Sequence, residues 1–186
     1  MRLVFFLHLA LIHQAIAGNF TVANLTHEEE LTIEVECDKR SQPFTLPAGT
    51  DSGSFTLPEK DAVFRVKDQE LSPCKAAAGR DARLVLLYRK HKQLTWHTLT
   101  SKAEKDKTSL RLLNLTEAPV KLTTSDQTIE LSAGQDLESA PATTQTISVT
   151  LDGQKKQTAK AEEPTPFIGI IYPTPQGPRL RLIADR

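Results

Sequence analysis

Hydrophobic and polar residues alternate along much of the chain after residue 17. Leu31, Ile33 and Val35 are separated by single polar residues, and the segment 147–151 has the same pattern. A period of two predicts β-strands with one buried face. Further strands are predicted at 20–22, 55–57, 62–66, 83–88, 94–99, 110–113, 120–122, 128–131, 167–172 and 180–183. No window of a dozen residues has the 3.6-residue stripe of a helix, so the predicted fold class is all-β.

The strand pattern occurs twice. Asn24-Leu25-Thr26 returns as Asn114-Leu115-Thr116, Leu46-Pro47-Ala48-Gly49 as Leu131-Ser132-Ala133-Gly134, and Leu87-Tyr88 as Ile171-Tyr172. The offset between the copies falls from 90 to 85 to 84 residues, as insertions in loops would produce. We therefore predict two tandem antiparallel, Ig-like β-sandwiches of six or seven strands each, related by internal duplication.

Turns and loops set the predicted boundaries. The first sandwich spans 18–100, a polar linker spans 101–108, and the second sandwich spans 109–186. Residues 90–93 and 175–178 are predicted to form equivalent hairpin turns, and 68–81 and 154–166 equivalent internal loops. Units of this size bury only ~60–65% of the surface of the unfolded chain, so we expect the two copies to pack as a rigid pair.

The N-terminus has the pattern of a secretory signal peptide. Arg2 precedes an apolar run, and Ala15-Ile16-Ala17 forms a cleavage site before Gly18. The alternative, a retained anchor, is less favoured because the run is shorter than the ~20 apolar residues that cross a bilayer. We predict that residues 1–17 are removed and that the protein is periplasmic or secreted, without stable membrane insertion.

Charge excludes one class of partner. Removing residues 1–17 takes away Arg2 and leaves 22 basic and 23 acidic residues. A nearly neutral chain has no net field that would attract nucleic acid, so no nucleic-acid partner is expected.

Cys37 and Cys74 are the only cysteines. An even number of cysteines in an exported chain favours a disulfide, and closing this loop would stabilise the fold by roughly 3–4 kcal/mol. The alternative is two unpaired thiols. Two thiols without a nearby histidine pair do not complete a tetrahedral shell, so no metal site is predicted.

Catalytic motifs are lacking. His27-Glu28-Glu29-Glu30-Leu31 begins like the zincin motif but has Leu in place of the second histidine. No nucleophile elbow, dinucleotide-binding motif or P-loop occurs. We predict a protein that is not an enzyme and that has no cofactor. The alternative is an enzyme that uses Cys37 or His97 as part of a nucleophilic site.

Two groups of residues are candidates for partner binding. Arg89, Lys90, His91 and Lys92 form a basic hairpin tip followed by Trp96, which suits an anionic polysaccharide or an acidic protein partner. The alternative interpretation is a solvated turn above a core tryptophan. Arg179 and Arg181 alternate with leucines and are predicted to project from the outer face of the last strand, where charge also protects a sheet edge.

Three Asn-x-Thr sequons begin at Asn19, Asn24 and Asn114. They would be glycan acceptors in a eukaryotic secretory pathway. Because Asn24 and Asn114 fall on the duplicated element, we predict a structural role instead, in which the side chain binds the backbone where the first strand leaves the sheet.

Part of the second copy resembles a known family. The segments 109–116, 120–124 and 149–153, with Asn114-Leu115-Thr116 at the centre, are similar to the C-terminal part of the periplasmic accessory proteins of bacterial alginate O-acetylation. The resemblance covers mainly 109–183. It implies an exported adaptor of two small β-sandwiches, without catalytic residues of its own, that docks proteins of an exopolysaccharide-modifying complex.

These observations predict an exported, non-catalytic binding or scaffold protein that engages a protein or glycan partner. The alternative is an accessory adaptor of a cell-surface polysaccharide acetylation or export complex. Function is expected where the two copies differ, at 37–42 and 89–92.

Overall fold

The computed structural model describes residues 18–27, 30–57, 61–77, 83–101, 108–124, 127–138, 146–154, 156–160, 163 and 165–184. The predicted signal peptide and residues 102–107 of the predicted linker lie outside them. The described chain is all-β, with sixteen strands in four four-stranded sheets. Among these residues there is no helix with the length and apolarity needed to cross a membrane.

Copy one contains the first eight strands. They are β1 (Gly18–Asn24), β2 (Leu31–Cys37), β3 (Arg40–Leu46), β4 (Thr50–Leu57), β5 (Ala62–Val66), β6 (Cys74–Ala76), β7 (Arg83–Lys90) and β8 (Gln93–Thr100). The inner sheet, which packs against copy two, has the order β4-β1-β7-β8. The outer sheet, on the far side of copy one, has the order β3-β2-β5-β6. Pairing is antiparallel except between β1 and β7, which are parallel.

Copy two repeats this arrangement strand for strand. Its strands are β9 (Leu110–Asn114), β10 (Val120–Thr124), β11 (Thr128–Leu131), β12 (Asp136–Glu138), β13 (Thr146–Leu151), β14 (Gln157–Lys160), β15 (Phe167–Tyr172) and β16 (Arg179–Ala184). The outer sheet has the order β11-β10-β13-β14 and the inner sheet the order β12-β9-β15-β16, with β9 and β15 parallel. Both orders are those of copy one with each strand number raised by eight, so the internal duplication is confirmed.

Each copy has eight strands rather than the six or seven expected. The strands that the sequence pattern missed, β3, β6, β12 and β14, all lie at sheet edges. These four strands have few buried residues, one each in β3 and β6 and none in β12 and β14, so they lack the apolar alternation that marks a half-buried strand. β6 and β14 lie inside the segments predicted to be loops.

The four sheets stack as outer, inner, inner, outer, with a hydrophobic core in each gap. The middle core joins the copies and contains six residues from each: Ala23, Leu25, Leu84, Leu86, Tyr88 and Leu99 from copy one, and Leu113, Leu115, Ile168, Ile170, Tyr172 and Ile183 from copy two. The strand registers make these six equivalent pairs. The same face of each copy therefore packs against the other, as in a two-fold symmetric dimer.

This packing explains the apolar runs of the inner strands. All six residues of β15 are buried, and so are five successive residues of β7. A strand with a core on both faces needs apolar residues at every position, whereas β2, with one buried face, alternates.

Asn24 and Asn114 end β1 and β9 and are fully buried. Each Oδ1 accepts hydrogen bonds from the backbone N–H (3.0 Å in both copies) and the hydroxyl of the threonine two residues later, at 2.6 Å from Thr26 and 2.7 Å from Thr116. Each Nδ2 donates to the carbonyl of the last residue of a facing strand, Leu46 of β3 (2.9 Å) and Leu131 of β11 (3.2 Å). The predicted structural role of these asparagines is confirmed.

The predicted Cys37–Cys74 disulfide is wrong, because no disulfide bond joins the two cysteines. They lie in the same outer sheet, but β5 runs between their strands, β2 and β6. Two strand spacings are about 10 Å, beyond the Cα separation that a disulfide spans. Cys74 Sγ instead lies 3.4 Å from the hydroxyl of Thr98 on β8.

Candidate functional site

The basic hairpin tip is built on a strained turn. β7 and β8 are joined by His91 and Lys92, with φ of +50° and +65°. Positive φ at both positions is the type I′ turn that suits a twisted hairpin and that favours Asn-Gly. The β2–β3 hairpin makes the same turn with Asp38 and Lys39, at φ +50° and +63°. In both turns a lysine occupies a position where glycine would be unstrained.

A cleft of about 500 Å³ opens beside the β7–β8 turn. Copy one contributes Arg89, His91 and Lys92, together with the segment that follows the buried Asn24 corner; copy two contributes the start of its own β15–β16 hairpin. The remaining lining residues are Thr26, His27, Pro173, Thr174 and Pro175. Three of the predicted binding residues thus share one cleft between the copies, whereas Lys90 is exposed outside it.

Some polar groups in the cleft already have partners. Arg89 Nη1 donates to the carbonyl of Lys92 at 3.0 Å, which fixes the turn. His91 Nε2 lies 2.9 Å from Glu117 Oε1 of copy two; both side chains are more than half exposed, so this contact contributes little to stability. The Thr174 hydroxyl donates to Gly177 within its own hairpin. Among the described residues, no carboxylate lies within ion-pair distance of the Lys92 ammonium.

Trp96 does not belong to this cleft. It packs against the core between the two sheets of copy one, and its indole N–H donates to the Ser72 carbonyl at 3.2 Å. The interpretation of a core tryptophan therefore describes its place better than an aromatic platform beside the basic tip.

The two arginines of β16 have different surroundings. Arg179 is exposed, whereas Arg181 is half-buried against copy one and donates to Asp51 Oδ2 on β4 at 3.1 Å. The strand registers make His97 the equivalent of Arg181, and Asp136 the equivalent of Asp51. Arg181 thus helps to join the copies.

His97 faces Asp136 of copy two, just as its equivalent Arg181 faces Asp51 of copy one. Burial lowers the pKa of His97; the Asp136 carboxylate acts to raise it and the Arg111 guanidinium to lower it. Arg111 also binds both Asp136 oxygens, at 2.7 and 2.5 Å, and donates to the Thr100 carbonyl at 2.7 Å. In the same interface, burial raises the pKa of the equivalent Tyr88 and Tyr172 hydroxyls.

The alternative Cys/His site is not assembled. Cys37 lies in the outer sheet of copy one and faces the first core, whereas His97 lies on the inner sheet and faces copy two. In the part of the chain that the structure describes, no group of three or more His, Cys, Asp or Glu residues is placed to hold a metal ion.

A second cavity, a groove of about 840 Å³, lies at the other region where the copies differ. It opens between the edge strands β3 and β4 and is lined by Phe44 and Phe55, whose ring centroids are 5.9 Å apart. Pro43 on β3 and a bulge opposite β4 are devices that discourage strand addition. The sequence analysis predicted a functional region at residues 37–42. It did not predict a groove there, because β3 was not recognised as a strand.

No protein-family model matches the chain, and no curated protein is recognisably similar to it in sequence.

Proposed function

We propose that this is an exported, non-catalytic binding protein whose cleft between the copies binds an anionic polysaccharide. One observation carries the proposal: Arg89, His91 and Lys92 converge on a cleft that both copies line. Copy two has no counterpart of the basic tip, because Pro175 and Gln176 occupy its turn.

The chemistry of the cleft suits a carboxylate-bearing sugar chain. Lysine and arginine form charge-assisted hydrogen bonds to carboxylates, and the rings of Pro173 and Pro175 offer apolar surface for the body of a sugar. The His91 and Lys92 side chains are exposed to solvent, so affinity is expected to be weak for a single sugar unit and to fall as salt is added. Repeated units on a polymer raise the overall affinity.

The strained turn allows the role of Lys92 to be tested, because Lys39 has the same backbone strain away from the cleft. In the left-handed region, a residue with a side chain lowers stability by about 1–2 kcal/mol. A substitution by glycine removes this strain, but glycine loses more conformational entropy on folding, which offsets about half of the stabilisation. Lys92→Gly is therefore expected to raise the free energy of unfolding by up to about 1 kcal/mol. If the ammonium binds the ligand, the same change weakens binding.

Lys39→Gly is the matched control, since Lys39 holds the same turn position on the other hairpin. Titration of the mature protein with a polyuronate such as polygalacturonate is expected to show binding that Lys92→Gly weakens about 5- to 10-fold, a loss of about 1 kcal/mol. Lys39→Gly is expected to stabilise equally and to leave binding unchanged. A neutral dextran of matched length should not bind.

Two results would count against the proposal. One is the absence of polyuronate binding at millimolar sugar and low salt. The other is equal binding by Lys92→Gly, Arg89→Ala and the unaltered protein, which would place any glycan site elsewhere.

Export is part of the proposal and is supported by the pattern of residues 1–17. Mass spectrometry of protein recovered from the host is expected to show a chain that begins at Gly18. An accessory role in polysaccharide acetylation or export is a narrower version of the same function. It predicts co-purification with a membrane-bound acyltransferase or another glycan-modifying partner.

A further inference from the structure

The last strands of the two copies, β8 and β16, are equivalent edge strands with different protection. In copy two, Gln157 donates its side-chain amide to the Leu180 carbonyl, and Gln154 donates to the Pro178 carbonyl. Thr174 and Gly177 exchange backbone hydrogen bonds across the hairpin. Because hydrogen-bonded and outward residues alternate along an antiparallel strand, the carbonyls of Pro178 and Leu180 point away from β15. The free edge of β16 is therefore capped by side chains and also carries Arg179 and Arg181.

Among the described residues of copy one, neither of these two hydrogen bonds has a counterpart. The registers make Trp96 the equivalent of Leu180, and Cys74 the equivalent of Gln157. A cysteine is too short to reach the carbonyl, and its sulfur lies beside the Thr98 hydroxyl instead. In the part of the chain that the structure describes, no hydrogen bond is made to the Leu94 or Trp96 carbonyl from outside the β7–β8 hairpin.

The open part of this edge has definite ends. Lys90 and Gln93 close the two-residue turn, so the backbone groups of Leu94, Trp96 and Thr98 point outward by alternation. Thr100 also points outward, but its carbonyl accepts a hydrogen bond from Arg111. The available stretch therefore runs from Leu94 to Thr98, with Trp96 at its centre.

The composition of β8 also favours strand addition. Its eight residues, Gln93–Thr100, include no Lys, Arg, Asp, Glu or Pro, the residues that usually protect an edge. The described part of β8 has no register shift against β7 that would bend it away from a partner.

We propose that β8 pairs antiparallel with β8 of a second copy of this chain, about a two-fold axis at Trp96. In this register Leu94 faces the partner's Thr98 and Trp96 faces the partner's Trp96. Every outward N–H and C=O of the open stretch then gains a partner, in about six inter-strand hydrogen bonds. The outward residues Leu94, Trp96 and Thr98 are evenly spaced about Trp96, and the stretch has no Lys, Arg, Asp or Glu, so self-pairing satisfies its backbone groups without bringing such charges together.

The dimer is expected to be weak and reversible. Pairing over five residues buries less surface than the ~1,200 Å² of a stable interface. We expect dissociation in the range of about 10–500 μM, visible as a concentration-dependent sedimentation coefficient.

Cys74→Gln tests the proposal directly, because it transfers the cap of copy two to copy one. Sedimentation of the mature protein under reducing conditions is expected to show a dimer for the unaltered chain and at least 10-fold weaker association for Cys74→Gln. Cys74→Ser is the control: it retains a group beside Thr98, cannot reach the Trp96 carbonyl, and should associate normally. Thr98→Pro is a second blocking variant, since it removes an outward N–H without breaking the β7–β8 pairing.

Trp96 fluorescence verifies that each variant is folded. Weakened association in Thr98→Pro, with Cys74→Ser unaffected, supports the proposal. A chain that is monomeric up to about 1 mM overturns it, even if the edge then captures an extended peptide of another protein. Association that survives both Cys74→Gln and Thr98→Pro also overturns it, since the dimer would then use another surface.

Discussion

Copy one and copy two have the same eight strands in the same order, yet they use different residues at their turns and edges. The shared features are the asparagine corner and the six equivalent pairs of the middle core. The differences are the basic turn and the uncapped β8 edge, both in copy one. Positions that hold the fold together are thus repeated, whereas the features proposed for recognition occur once.

The largest expected effect tests whether the copies are independent. Ile33 is fully buried in the first core, so Ile33→Asp places an unpaired charge there and should cost more than about 4 kcal/mol. Because the middle core needs both inner sheets, we expect copy two to unfold as well. Urea unfolding followed by Trp96 fluorescence and far-UV circular dichroism checks this.

Thr32→Asp is the control, since Thr32 lies on the outer face of the same strand. It should change stability by less than about 1 kcal/mol. Retention of half the far-UV signal in Ile33→Asp would show that copy two folds alone.

An intermediate effect tests the equivalence of the two corners. Asn24→Ala and Asn114→Ala each leave buried backbone groups without their hydrogen bonds, at an expected cost of about 2–3 kcal/mol in each case. Asn19→Ala, which loses only a bond from the Thr56 hydroxyl, should cost less than about 0.5 kcal/mol. Thermal or urea unfolding measures all three. A corner variant as stable as Asn19→Ala would remove the structural role assigned to that asparagine.

The smallest effect distinguishes His97 from its equivalent, Arg181. Burial lowers the pKa of His97, so the unfolded chain binds this proton more readily than the folded chain. The associated stability is fully present above the unfolded pKa of about 6.5 and is lost as pH falls through that value towards the lower folded pKa. The urea concentration at the midpoint of unfolding should therefore decrease as the pH is lowered from 8 to 5.

His97→Gln is expected to flatten this profile, while other histidines contribute equally to both proteins. An identical pH dependence in the two proteins would mean that His97 is not coupled to folding.

Much of the fold follows from local sequence. The alternation at Leu31, Ile33 and Val35 identified β2, and the echo of Asn24 at Asn114 identified both the duplication and the corner. The basic residues of the cleft were found because charged residues at a predicted turn are exposed. β3, β6, β12 and β14 were missed because exposed edge strands have no hydrophobic period, and the disulfide was wrong because sequence spacing does not reveal that β5 separates the cysteines.

The sequence by itself determined the repeated unit, the period of its strands and the residues that turn them, because these depend on interactions within a few residues of the chain. The tertiary structure decided which faces meet. Only the packing of one inner sheet on the other allows Arg181 to pair with Asp51 and His91 to contact Glu117. The same packing places Pro173 and Pro175 in one cleft with Lys92. Such contacts join residues far apart in the chain, and their partners are fixed by strand order and register, which hydrophobic periodicity does not encode.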